Sequence, residues 1–312
     1  MTAGARTVAA RMKSTAWIFP GQGSEEPEMG LALARADEDA RALLDEASRA
    51  CGLDVARALE RGGRALATTE VLQPALLAVG LAAARALERR GARPDFVAGH
   101  SLGEVTAACF SARVAPRAAV ELAALRGAAL AAACARRPGG MLALHAETDE
   151  VEEALREHAG AAGVAAINAP GEIVVSGAQE AIGALHARFG VRATRLRVSG
   201  PWHSPLLAEA MVPLRAQAER TFSAAALHVP LVSAVTGAPI DASELPGRLA
   251  AGVVEPVRFV GVLAHLEAGG VTDVVVLAPS RTVRSLVRRT LGTRVRIHAA
   301  DTPLDLDAIA AA

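Results

Sequence analysis

The sequence predicts an α/β protein: a parallel sheet flanked by helices, interrupted by an inserted unit of β-α-β-β-α-β order. Two apolar runs, Ala16–Phe19 and Phe96–Ala98, each enter a glycine-containing turn and then helical patterning, the strand–turn–helix signature of such a sheet. From Met141 to Val198 the apolar runs become short and alternate quickly between strand and helix spacing. A chain of 312 residues, 52% hydrophobic, can bury a core large enough for both parts.

In order along the chain, Ala16–Phe19 is a strand, followed by the turn Pro20-Gly21-Gln22-Gly23 and helical patterning from about Leu31 to Cys51. Thr69–Arg90 reads as a long buried helix broken by Gly91–Pro94. Phe96–Ala98 is the strand that enters Gly99-His100-Ser101-Leu102-Gly103, and helices then run to about Ala135 before Arg137-Pro138-Gly139-Gly140. The insert follows: strand Met141–His145, helix Glu147–Ala159, strand Val164–Asn168, a turn at Pro170-Gly171, strand Glu172–Ser176, helix Ala178–Phe189 and strand Ala193–Val198. This is the ferredoxin-like order, and roughly sixty residues suit it. Pro205–Thr221 then reads as helical, Leu231–Val235 as a strand, and Val274–Leu277 as a last strand before a basic helix.

Lysines and arginines balance aspartates and glutamates at 33 each, which excludes the basic surface that nucleic-acid binding demands. Cys51, Cys109 and Cys134 are too scattered for a disulfide framework or a metal site, so no metal is expected, and a reducing cytoplasm fits. Arginines and acids interrupt the alanine-rich segments before they reach the roughly 18 apolar residues of a membrane span. Met1–Lys13 is basic but too short and serine-poor for a transit peptide, and reads as a lead with Met12 as an alternative start.

Gly99-His100-Ser101-Leu102-Gly103 matches the G-x-S-x-G pattern, in which small residues around a serine permit a sharp strand-to-helix turn that lifts the hydroxyl into solvent. The Leu102 N–H then stands at a helix start, where the dipole favours an oxyanion. Such a serine needs a base. Of eight histidines, His158 and His186 fall on helices as solvated residues, and His100 braces the turn beside the serine. His203 lies in Val198-Ser199-Gly200-Pro201-Trp202-His203-Ser204-Pro205, where a strand end, a glycine and two prolines hold it at a loop edge. Ser204 caps the helix that Pro205 opens.

These motifs, together with Phe19-Pro20-Gly21-Gln22-Gly23-Ser24, Gln73-Pro74-Ala75-Leu76, Leu125-Arg126-Gly127 and Ile167-Asn168-Ala169-Pro170-Gly171, resemble the malonyl-CoA:acyl carrier protein transacylase family from about Thr15 to Arg289. The resemblance implies an α/β-hydrolase-like large subdomain with a parallel sheet, at 14–138 and 202–300, and a ferredoxin-like small subdomain at 139–201. Residues 1–13 and 301–312 are the termini. It implies Ser101 as nucleophile, His203 as base, the amides of Gln22 and Leu102 as oxyanion hole, and Arg126 as the clamp for a free acyl carboxylate. Gln73, Asn168, Trp202 and Gly252 fall at pocket positions, and the histidine is oriented by backbone carbonyls. Without the resemblance, Arg126 reads as an exposed helix residue.

Departures from the family pattern narrow the reading. The four residues ending in the base are Gly200-Pro201-Trp202-His203, matching neither the malonyl nor the methylmalonyl polyketide type, though Trp202 puts a bulky ring where the malonyl type has one. Gly252 stands where fatty-acid enzymes carry Gln and polyketide domains Asn, and Val276-Leu277-Ala278-Pro279-Ser280 replaces a glycine-rich floor segment. The expectation is therefore a free-standing cytoplasmic monomer that takes malonyl from malonyl-CoA to an acyl carrier protein for polyketide synthesis in trans. It needs no bound cofactor, coenzyme A thioester being substrate. Fatty-acid synthesis and an editing acyl hydrolase remain as alternatives, as does an esterase using His298. Arg281, Arg284, Arg288 and Arg289 form a basic stretch that is either a carrier-docking patch or a solvated helix face.

Overall fold

The computed structural model describes residues 14–62, 66 and 68–312, so the basic lead at Met1–Lys13 lies outside the described residues. Among the described residues, ten strands form two sheets: β1 (Thr15–Phe19), β2 (Phe96–Gly99), β3 (Gly139–Leu144), β4 (Ala162–Ala169), β5 (Glu172–Ala178), β6 (Ala193–Arg195), β7 (Leu231–Val232), β8 (Pro239–Ile240), β9 (Asp273–Leu277) and β10 (Arg296–Ala300). The first sheet has the order β10-β9-β1-β2-β7-β8 and is parallel except where β8 turns back on β7. Its central strands read as unbroken apolar runs because helices cover both faces; Ala16 to Phe19 are fully buried. The second sheet is antiparallel with the order β4-β5-β3-β6, and the helices Thr148–Arg156 and Gln179–Phe189 complete the ferredoxin-like unit.

The sheets meet along one line. Ile167 donates to the Val257 carbonyl at 2.8 Å and Val257 returns a bond to the Ala165 carbonyl at 2.9 Å, which seats β4 beside the segment entering the helix Phe259–Ala268. A cleft is left above the carboxyl ends of β1 and β2, the usual ligand crevice of an open α/β sheet.

Several elements differ from the sequence expectation. The sheet does not end at β9: β10 pairs with it in parallel, but its Arg296 and His298 lie on a half-exposed edge and mask the apolar pattern. The helical stretch Leu31–Cys51 breaks at Asp37, whose extended backbone (φ −141°, ψ 121°) lets its carboxylate cap the Ala40 N–H. Pro205–Thr221 begins as 3₁₀ turns through Ala210, with Leu207 outside helical geometry, before a true helix from Met211. The strands expected at Ala193–Val198 and Leu231–Val235 stop at Arg195 and Val232. The last segment, read as a terminus, contains a helix at Pro303–Ala310 whose Leu306 is fully buried.

Thr69–Arg89 and Pro116–Arg136, 21 residues each, reach the length and mean hydropathy of a membrane span, 1.4 and 1.5, although no uninterrupted apolar run does. In this fold they pack on each other, the first also against β9 and the second also against neighbouring helices, with 83% and 50% of their apolar windows buried.

Candidate active site

Three glycines let the chain cross itself at the top of β2. A Cβ on Gly103 would lie 1.9 Å from the Phe19 carbonyl oxygen, and one on Gly99 1.9 Å from the Gly103 carbonyl carbon. One on Gly21 would lie 2.2 Å from the His100 oxygen, so the turn after β1 rests directly on the turn after β2. At that junction Ser101 takes φ 54° and ψ −113°, a conformation that costs an L-residue about 1–3 kcal/mol and that tight packing maintains. The helix Leu102–Ser111 starts on the next residue. The amides of Gln22 and Leu102 have no protein acceptor among the described residues, leaving two N–H groups beside the serine.

His203 faces Ser101 from the loop before Pro205. Its Nε2 is 2.8 Å from Ser101 Oγ and its Nδ1 is 3.0 Å from the Glu255 carbonyl oxygen. A carbonyl only accepts, so Nδ1 carries the proton and Nε2 presents its lone pair to the hydroxyl. Burial, and next the positive charge of Arg126, push the imidazole down to about 3, so the ring is neutral and ready to accept a proton. The loop is fixed from both ends. Ser204 Oγ accepts the Leu206 N–H at 3.3 Å, and Gly200 packs so closely that a Cβ would meet Cys134 Sγ at 2.2 Å.

Arg126 is 4% exposed, not the solvated residue that a charged helix position suggests. Its Nη1 donates to Gln73 Oε1 at 2.9 Å; Gln73 Nε2 reaches Gln22 Oε1 at 3.4 Å, Gln22 Nε2 reaches Thr69 Oγ1 at 3.5 Å, and Thr69 Oγ1 lies 3.1 Å from Ser199 Oγ. This polar line runs from the guanidinium past the turn after β1 to the loop that carries His203. Burial lowers the guanidinium to about 10, with Glu104 opposing, so it remains a cation at neutral pH. Its Nε has no partner among the described residues, leaving a donor for a ligand.

Ser101, His203, Arg126, Gln22, Gln73, Asn168 and Trp202 line one cavity of about 420 Å³ between the two sheets, mostly apolar around a few convergent polar groups. Gly252 borders a smaller adjoining cavity with Ser101, Arg126 and His203. Asn168 Oδ1 lies 2.8 Å from His100 Nε2 and Asn168 Nδ2 donates to Glu172 Oε1 at 3.2 Å, so His100 ties the serine turn to β4. Trp202 is half-buried and packs against both apolar cores of the first sheet, one on each face, the second of which reaches the ferredoxin-like sheet.

His298 is elsewhere. It pairs at 3.0 Å with Asp273, which lies beside Thr15 at the opening end of β1, whereas Ser101 follows the closing end of β2. Of the basic stretch, Arg281 pairs with Glu26 and Arg289 with Glu172, which removes half of its free charge. Among the described residues no cluster could hold a metal ion. Sequence reasoning missed Glu104, Thr69 and Ser199, and it expected a backbone carbonyl to orient His203 without naming Glu255 as its source. An acid inside the apolar segment Leu102–Ser111 was a readable signal for Glu104; which residue lends its carbonyl to the ring leaves no mark in the side-chain pattern.

The profile of the acyl transferase domain family matches residues 16–302. The chain is 36% identical over 287 residues to the polyketide synthase GfsB of Streptomyces halstedii, covering 86% of this chain but only 5% of that protein. It is 30% identical over 302 residues to the malonyl CoA-acyl carrier protein transacylase of Bacillus subtilis, covering 94% of this chain and 95% of that one. The crystal structure of the malonyl-CoA:acyl carrier protein transacylase of Xanthomonas oryzae superposes with a TM-score of 0.86 at 34% identity, covering 96% of this chain and 99% of that one.

Proposed function

We propose a malonyl transacylase reaction for this chain, which belongs to the acyl transferase domain family and is an acyltransferase. The observation that carries the reading is the shared cavity: a serine hydroxyl 2.8 Å from a neutral imidazole, with a buried cation in the same wall. Ser101 Oγ attacks the thioester carbonyl of malonyl-CoA as its proton passes to His203 Nε2. The oxyanion is held by the Gln22 and Leu102 amides, which need no reorganisation to receive it. Collapse breaks the C–S bond, and coenzyme A leaves with the proton from His203. The phosphopantetheine thiol of an acyl carrier protein then gives its proton to His203 and attacks the acyl-serine. Ser101 recovers the proton as the new thioester leaves.

Arg126 receives the free carboxylate of the acyl group, a task that suits a planar guanidinium with an unengaged Nε. Trp202 crowds a branch next to the carbonyl, which favours malonyl over methylmalonyl. The pathway we assign is polyketide synthesis in trans. It rests on Trp202 and Gly252, which depart from the family's usual patterns at the pocket and so point to a specialised role. The experiment supplies malonyl-CoA and two phosphopantetheinylated carriers, one of fatty-acid and one of polyketide type. Faster malonylation of the polyketide carrier supports the assignment; faster malonylation of the other reverses it; free malonate without transfer points to hydrolysis.

A further inference from the structure

The wall beneath Arg126 holds a carboxyl that this reaction does not use. Glu104, three positions after Ser101, is 3% exposed in the apolar helix Leu102–Ser111. Its Oε1 accepts the Ala234 N–H at 3.0 Å just beyond β7, with the Ser233 hydroxyl alongside. Glu104, Arg126, Ser101 and His203 border the same small cavity adjoining the main one. Glu104 and Arg126 act on each other's charge across that space. The other charged or titratable groups facing Glu104 are Arg248 from the helix Leu245–Ala251 and His203 from the loop before Pro205.

We infer that Glu104 is a specificity-determining positioning residue, a carboxyl that sets how much uncompensated positive charge Arg126 presents to an acyl carboxylate. The inference rests on the malonyl reading. An ionised Glu104 partly cancels the guanidinium and repels the arriving carboxylate through a medium of low dielectric; a protonated one does neither. Burial raises this carboxyl to about 7, opposed by its hydrogen bonds and by Arg126 and Arg248, so both forms occur near neutrality. Docking of the acyl carboxylate therefore favours proton uptake from water by Glu104, with no covalent change. An acyl group without a carboxylate does not demand that proton. Selectivity for malonyl over acetyl should then fall as pH rises.

The test is the ratio of Ser101 acylation rates with malonyl-CoA and acetyl-CoA between about pH 6 and pH 8.5, in which the phosphates common to both substrates cancel. The ratio for the native chain should fall at least about fivefold across this range. Glu104→Gln keeps an acceptor for the Ala234 N–H while removing the charge, and should give a pH-independent ratio at or above the native low-pH value. An indicator dye should also report proton uptake when the native chain is malonylated at about pH 7.5, a readout that needs no variant. A malonyl preference that does not vary with pH, or a Glu104→Gln ratio with the native slope, overturns the role of Glu104. A native chain that never prefers malonyl overturns the malonyl reading itself, which is a different result.

Discussion

Ser101 and His203 meet at 2.8 Å although each holds a left-handed backbone, φ 54° and φ 56°, on segments 102 residues apart. Neither conformation is favourable for its residue alone, so the contact is imposed by the packing of the turn after β2 and of the separate loop that Gly200 seats against Cys134. A pair built in this way should act as a unit. Ser101→Ala and His203→Ala should each slow acyl transfer about a thousandfold or more, and the double variant should be hardly slower than either. Single-turnover acylation rates check this, and additive losses would contradict it.

The pH dependence follows from the environment of the imidazole. An unperturbed histidine base would lose half its activity at about pH 6.5. His203 is held down to about 3, so its neutral form persists as pH falls through that value. With acetyl-CoA, whose acyl group is uncharged, the acylation rate should stay flat from about pH 8 to pH 5 and decline only below that. A half-loss near 6.5 in the rate profile would show that the ring is solvated.

Trp202 supplies a volume test. Trp202→Ala opens the cavity beside His203 and should raise methylmalonyl acylation relative to malonyl by about tenfold, the scale on which a pocket discriminates a single methyl group. Competition between the two thioesters, read by the mass of the acyl-serine, measures it. An unchanged ratio would mean that the ring only joins the two cores.

The crossing at Gly99 and Gly103 should tolerate no side chain. Gly103→Ala places a Cβ 1.9 Å from the Phe19 oxygen and should cost more than about 4 kcal/mol, either preventing folding or lowering Tm by roughly 8 °C or more. Thermal unfolding with a Gly163→Ala control, where a Cβ meets nothing within 4 Å, separates this clash from a general glycine effect.

Legibility in the sequence followed the kind of constraint involved. The turn at Ser101 and the loop at His203 were readable because backbone geometry there demands glycine and proline at fixed places. The two-sheet layout was readable because β1 and β9 carry the unbroken apolar runs Ala16–Phe19 and Val274–Leu277 and the insert changes period at once. Edge strand β10 was not, since half-exposed Arg296 and His298 break the pattern. Arg126 could be understood only through similarity, because a buried arginine and an exposed one look alike in a helix. The line from Arg126 through Gln73, Gln22 and Thr69 to Ser199 joins residues up to 177 positions apart (199 − 22), a relation no local spacing encodes.

Arg126 carries the most specific claim, that the cavity selects an acyl group bearing a carboxylate. The direct measurement is the intact mass of the chain after brief exposure to equimolar malonyl-, methylmalonyl- and acetyl-CoA, with Ser101→Ala and Arg126→Ala alongside. A malonyl adduct on the native chain, none on the serine variant, and a shift of about a hundredfold towards acetyl on the arginine variant are expected, because removing one partner of a buried charge contact costs 2–5 kcal/mol. An adduct that persists without Ser101, or a malonyl preference unaffected by loss of Arg126, would contradict the account.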